Sequence, residues 1–189
     1  MQTEIYNIDY TQFVHLLGTT HFSKRSLLDA YTTVDRLKPT DLAIELDMKR
    51  YQVLHSQCAT CPRRMSCNRK CEFIGAVEAL ENRNASIWLI DMSRGEFRER
   101  LSRLQAGSSH WRVLLHERDA LMAARLTWIT TRSLEKDETP RVLALIGAAH
   151  VKGVKSLLSD PVVLKGRLRM FELPFTPPLL MRRVMVMGD

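Results

Sequence analysis

The chain has 189 residues, 45% of them hydrophobic and 26% charged, with a formal net charge of +7. That is globular composition, long enough to bury one substantial core, and it argues against wholesale disorder. No run approaches about 18 uninterrupted apolar residues, so no transmembrane helix is expected. The opening MQTEIYNIDYTQ carries acids and no apolar core, so no signal peptide is expected either, and the compartment expected is the cytoplasm.

A pI near 9.5 favours anionic partners. The Lys and Arg residues are spread out, except for Arg63, Arg64, Arg69 and Lys70 among the cysteines and the stretch from Lys165 to Arg183. No RNA-binding or helix-turn-helix signature accompanies them, so the charge is read as solvated surface rather than a nucleic-acid interface. The expected partner is a peptide or small-molecule substrate.

In chain order, Phe13–Leu17 reads as a short buried strand ending at Gly18. Ser23 then caps a helix from about Lys24 to Lys38, stopped by Pro39. Leu42–Leu46 is a second strand, and Asp47 caps a helix through Leu54. A cysteine segment intervenes, followed by a helix from about Glu72 to Asn82 and a strand at Ser86–Ile90. Helices over Arg94–Leu104 and His110–Lys136 come next. Arg141–Gly147 is the clearest strand, followed by a helix at Lys152–Leu158. The final stretch from Arg169 has a Pro-interrupted apolar pattern and reads as an edge strand and tail.

Strands alternating with helices define an α/β protein: one domain over residues 1–189 with a mostly parallel central sheet flanked by helices. A four-cysteine insert occupies 57–72, and an irregular tail begins at about 166. In open sheets of this kind functional groups collect at the carboxyl ends of the strands. His21, Glu45, Asp47, Asp91 and His150 all fall at or just beyond such ends.

Two of those ends repeat. "LLGTTHFS" (Leu16–Ser23) and "LIGAAHVK" (Leu145–Lys152) each have two aliphatics, Gly, two small residues and His before a helix. Gly18 and Gly147 permit a sharp exit and close backbone approach. Each would place a histidine, on a loop across the top of the sheet, as a metal ligand or general base. His15, His55, His110 and His116 lie within a strand, at helix ends or on polar faces, where local bonding explains them.

The long helix supplies a third element. At about 100° per residue, Trp111, Leu114, Leu115, Leu121, Met122, Leu126 and Ile129 form one apolar arc. Arg118 and Arg125 fall inside it, with Glu117 and Asp119 at its edges. A guanidinium among apolar neighbours needs a carboxylate or an anionic ligand; Glu45 is the expected partner of Arg118.

These elements, "GTTHFSKRSLLDAYTTVDRLKPTDLAIELDMKRY", "ERDALMAARL" and "LIGAAHVKGV", resemble the TraB/PrgY/GumN family across roughly Val14 to Leu158. That family belongs to a wider group with the Tiki proteases, EreA-like esterases and ChaN-like haem-binding proteins. The resemblance implies an α/β core with His21, Glu45, Arg118 and His150 facing one cleft. It further implies hydrolysis of an amide or ester, with a divalent metal held by His21, His150 and Glu45 and with Arg118 stabilising the oxyanion. Without a metal, one histidine could serve as general base. Asp47, Glu117 and Arg125 are secondary site candidates. The alternative is a non-catalytic or redox-regulatory module on the same scaffold, holding an anionic small molecule or a tetrapyrrole.

"CATCPRRMSCNRKC" places Cys58, Cys61, Cys67 and Cys71 in a C-x2-C-x5-C-x3-C pattern. Four thiolates so close suggest zinc or an iron–sulfur cluster, with disulfides or free thiols as the other outcome. The nearby basic residues would offset the charge of either.

Overall fold

A computed structural model describes residues 5–59, 71–80, 83–104 and 109–184. Its core is a five-stranded sheet in the order β1-β4-β2-β3-β5, formed by Val14–Thr19 (β1), Asp41–Ile44 (β2), Ala85–Leu89 (β3), Val142–Gly147 (β4) and Leu179–Val184 (β5). The first four are mutually parallel, and β5 runs antiparallel along the β3 edge. The α/β architecture with a mostly parallel sheet is thus present, together with seven α-helices among the described residues.

β4 is buried at every position, as its unbroken aliphatic run requires of a strand covered on both faces. Alternate residues feed two cores. Ala43, Trp88, Ala144 and Ile146 pack on one face beneath Arg118–Leu134 (α5), Ala148–Ser159 (α6) and Pro161–Met170 (α7). Leu42, Ile44, Ile87, Leu143 and Leu145 pack on the other against Lys24–Leu37 (α1), Met48–Ala59 (α2) and Glu72–Glu78 (α3). The remaining helix, Arg94–Ser102 (α4), buries no residue fully and is held by a reciprocal capping box between Ser93 and Glu96.

Local signals explain most boundaries. The Ser23 hydroxyl accepts the Ser26 amide and caps α1, which ends at Lys38 in the left-handed region before Pro39. Asp47 caps α2 by accepting the Arg50 amide at 2.8 Å.

Three expectations are corrected. α6 starts at Ala148, directly after β4, rather than at Lys152. The second Gly-x-x-His is therefore a strand-to-helix junction and not a loop, because Ala148 and Ala149 are good helix formers with nothing to halt the turn. Residues from 161 fold into α7, with Asp160 capping and Pro161 at the first turn, so the tail is not irregular at 166. The long helix opens with a π-helical turn, Arg112–Glu117, before α5. Of the cysteines, Cys58 lies in α2 and Cys71 precedes α3, whereas Cys61 and Cys67 lie outside the described residues.

Candidate functional site

Strand order assembles the site. β4 lies between β1 and β2, so Gly147 at its carboxyl end stands between the His21 turn after β1 and Glu45 after β2. A β-carbon built on Gly147 would lie 3.3 Å from His21 Nε2, 3.3 Å from Glu45 Oε2 and 3.6 Å from His150 Cδ2. Those three side chains therefore crowd one point, and glycine there spares them a tight contact. Gly18, one position earlier in β1, allows a similar closeness elsewhere: its β-carbon would press within 2.7 Å of Val151 in α6.

Each histidine is anchored from behind by a carboxylate. His21 Nδ1 lies 2.7 Å from Glu72 Oε1, and His150 Nδ1 lies 2.5 Å from Asp119 Oδ1. Pairing Nδ1–H with a carboxylate leaves Nε2 as the electron-pair donor, an arrangement shared by metal-ligating and general-base histidines. His150 is buried and its Nε2 stands 3.4 Å from Glu45 Oε1; the His21 side chain is 44% exposed. The Glu72 hydrogen bond raises the His21 pKa above its ordinary value, against the effect of burial. Burial pushes the Glu72 carboxyl up, but hydrogen bonds from His21 and the Phe22 amide outweigh it and leave the group below its ordinary value.

Glu45 is held at both oxygens. Oε2 accepts the Gly147 amide at 2.5 Å, and Oε1 accepts from Arg118 Nη2. Arg118 also donates to Asp91 from Nε at 2.9 Å and from Nη2 at 2.7 Å, and from Nη1 to the Leu114 carbonyl at 3.2 Å. That carbonyl lies in the π-helical turn, a distortion often found at functional positions. Burial works against the Arg118 charge, yet Asp91 and Glu45 outweigh it and hold the guanidinium more firmly protonated than a free arginine. Asp91 also accepts from Arg50, which pairs with Asp47 at 2.9 Å, so an alternating chain of charges runs along the strand ends.

The four residues His21, Glu45, Arg118 and His150 are thus brought together, with Asp47 linked to them through Arg50 and Asp91. Glu117 and Arg125 are not. Glu117 turns away to Arg100 at 2.6 Å and Arg112 at 2.9 Å. Arg125 spends its donors on the backbone carbonyls of Ile90, Asp91 and Thr176 and on the Thr176 hydroxyl, joining α5 to the strand that bears Asp91. Glu72 was not anticipated. Its only sequence signal is an acid followed by five apolar or small residues in the helix "EFIGAVE", in which it is completely buried.

The donor set fits a divalent cation in kind: two imidazole nitrogens with fixed tautomers and a carboxylate between them. Glu45 Oε1 is shared with Arg118, and among the described residues no three His, Cys, Asp or Glu side chains stand gathered at metal-holding spacing. Cys71 is buried, which pushes its thiol up to about 11. Among the described residues no helix is long and apolar enough to cross a membrane. Neither family models, curated proteins nor solved structures yield a match to the chain.

Proposed function

We propose that this is a TraB-like hydrolase acting on an amide or ester in the cytoplasm, with His21, His150, Glu45 and Arg118 as its centre. The observation that carries the reading is the convergence of His21, Glu45 and His150 around Gly147, each imidazole backed by its own buried carboxylate. With Glu72 and Asp119 engaging the two Nδ1 atoms, Nε2 of each ring is the nitrogen turned toward Glu45 and Gly147. Arg118 pairs with Glu45 and presents fixed positive charge where an oxyanion would develop. His21, His150 and Glu45 would have to close further, with Glu45 Oε1 released from Arg118, to hold a divalent metal, which would then polarise a carbonyl and lower the pKa of water.

In a metal-free route, His21 Nε2 takes a proton from water as its oxygen forms a bond to the carbonyl carbon. The same nitrogen returns that proton to the leaving nitrogen or oxygen as the C–N or C–O bond breaks. The four cysteines are proposed, on their spacing alone, to hold zinc or an iron–sulfur cluster.

The test is a panel of peptides and esters, with and without added divalent metal, on the wild type, His21→Ala and His150→Ala. The expected loss in either variant is about 10²–10⁴-fold, the usual worth of a positioned proton-transfer group. Equal turnover in all three proteins overturns the reading. Ligand binding that disappears in the variants, with no turnover by wild type, leaves a module that only holds its ligand.

A further inference from the structure

Beside the cleft lies a cavity of about 350 Å³ that opens from His21 and Glu45 and is bounded by α2 and the start of α3. Its walls are apolar: Phe22, Leu46, Val53, Leu54, Cys71 and Phe73. Two of these are unusually exposed for their type, Phe22 at 55% and Val53 at 49%. Phe22 also has a φ of 59°, a left-handed conformation that a bulky residue rarely adopts. The Phe22 amide donates to Glu72 Oε2 at 3.1 Å, so the contact that helps seat His21 also turns the phenyl ring to the cavity lip. Among the described residues Phe22 belongs to neither core cluster.

The rim carries both signs, with Glu45, Asp47 and Glu72 beside Lys49, Arg50 and Arg94. Lys49 and Arg94 border the cavity, and among the described residues neither has a carboxylate partner. The acids nearby are already committed: Asp47 to Arg50, Glu72 to His21, and Glu45 to Arg118. An apolar pocket with two uncommitted cations at its mouth matches an amphiphilic anion. At about 30 Å³ for a water-sized atom, the cavity holds on the order of a dozen non-hydrogen atoms.

The geometry points to a substrate that puts an apolar chain or ring of about that size against Phe22, Val53 and Phe73 and an anionic group against Lys49 and Arg94. Taking the His21–Glu45 cleft as the reacting end, as proposed above, the scissile carbonyl lies between these two anchors. Phe22, Val53, Lys49 and Arg94 are then specificity-determining residues, and His21 joins pocket to chemistry.

Binding is measurable without turnover, by calorimetry or NMR on the metal-stripped full chain. The probes are octanoate, butyrate, octyl phosphate and octylamine. Octanoate should bind more tightly than butyrate by up to roughly two-hundredfold, the full burial of four extra methylenes, and octylamine should not saturate. Octyl phosphate against octanoate distinguishes a phosphate from a carboxylate head. Val53→Asp should weaken all the eight-carbon ligands, and Lys49→Glu/Arg94→Glu should invert the preference toward octylamine.

Equal binding of octylamine and octanoate overturns the inference, as does octanoate affinity unchanged in both variants. So does binding confined to phosphatidylserine vesicles with none to the monomeric probes, which would make this a membrane-facing surface. The two readings fail separately. Octanoate binding with no hydrolysis of octanoyl esters ends the hydrolase and keeps the pocket. Turnover of small neutral esters at the rate of octanoylated anionic ones does the reverse.

Discussion

Asp119 can reach His150 because residue 153 is glycine. Gly153 lies one turn after His150 in α6, and a β-carbon there would overlap Asp119 Oδ2 and sit 2.8 Å from its carboxyl carbon. Gly153→Ala should therefore push Asp119 off the imidazole. Overpacking predicts a loss of about 1–3 kcal/mol in stability, together with a fall in any activity that depends on His150. Gly166→Ala is the control: nothing lies within 4 Å of its β-carbon position. Removing a glycine from α7 should stabilise by up to about 1 kcal/mol. Denaturant titration of both variants checks this, and equal behaviour of the two would refute the steric account.

The His21–Glu72 pair predicts a pH dependence with a sign at each end. His21 has a raised pKa, so its contribution is complete below the ordinary imidazole value of 6.5 and is lost as pH rises through the folded value. Glu72 has a lowered one, so its contribution is present above the ordinary value of 4.5 and is lost as pH falls through the folded value. The stability gap between wild type and Glu72→Gln should peak between those limits and shrink on both sides. An NMR titration of the metal-free protein should show the His21 pKa falling in the variant. An unchanged titration would separate Glu72 from His21.

Arg118 is 15% exposed and serves two carboxylates that are more buried than itself. Arg118→Met should cost up to about 3–5 kcal/mol, because Glu45 loses its arginine partner and Asp91 keeps only Arg50. Adding Asp91→Asn should recover part of that loss. No recovery in thermal unfolding would mean that Glu45 alone carries the penalty.

The cysteine segment has an optical test. An iron–sulfur cluster gives anaerobically purified protein an absorbance band at about 400 nm, and zinc gives a colourless protein with stoichiometric metal. In metal-stripped protein, burial and a thiol pKa of about 11 should make Cys71 nearly inert to alkylation at neutral pH. A colourless, metal-free native sample would dispose of both metal assignments.

Much of the site could be read from the chain because strand ends are written locally. An aliphatic run ending in a glycine specifies where His21 emerges, one ending in an acid specifies Glu45 and Asp91, and periodicity alone put Arg118 on the buried face of its helix. Glu72 escaped because its partner is 51 residues away and no local pattern joins them. Arg125 was legible as buried but not as structural, since its ligands are backbone carbonyls, which carry no residue code. The start of α6 was missed for a related reason. Gly147 caps that helix without a side chain, so the usual Ser, Thr, Asp or Asn signal is missing.

The position of β4 between β1 and β2 also dictates when the cleft can exist. Val14 pairs with Val142, and Asp41 also pairs with Val142, so the first two strands meet only through a strand made about a hundred residues later. Until β4 inserts, His21 and Glu45 belong to unconnected hairpin-free segments, with no Gly147 amide to fix the carboxylate. Pairings of such long sequence separation form slowly. During synthesis the proposed centre therefore cannot assemble until β4 has emerged and inserted between β1 and β2.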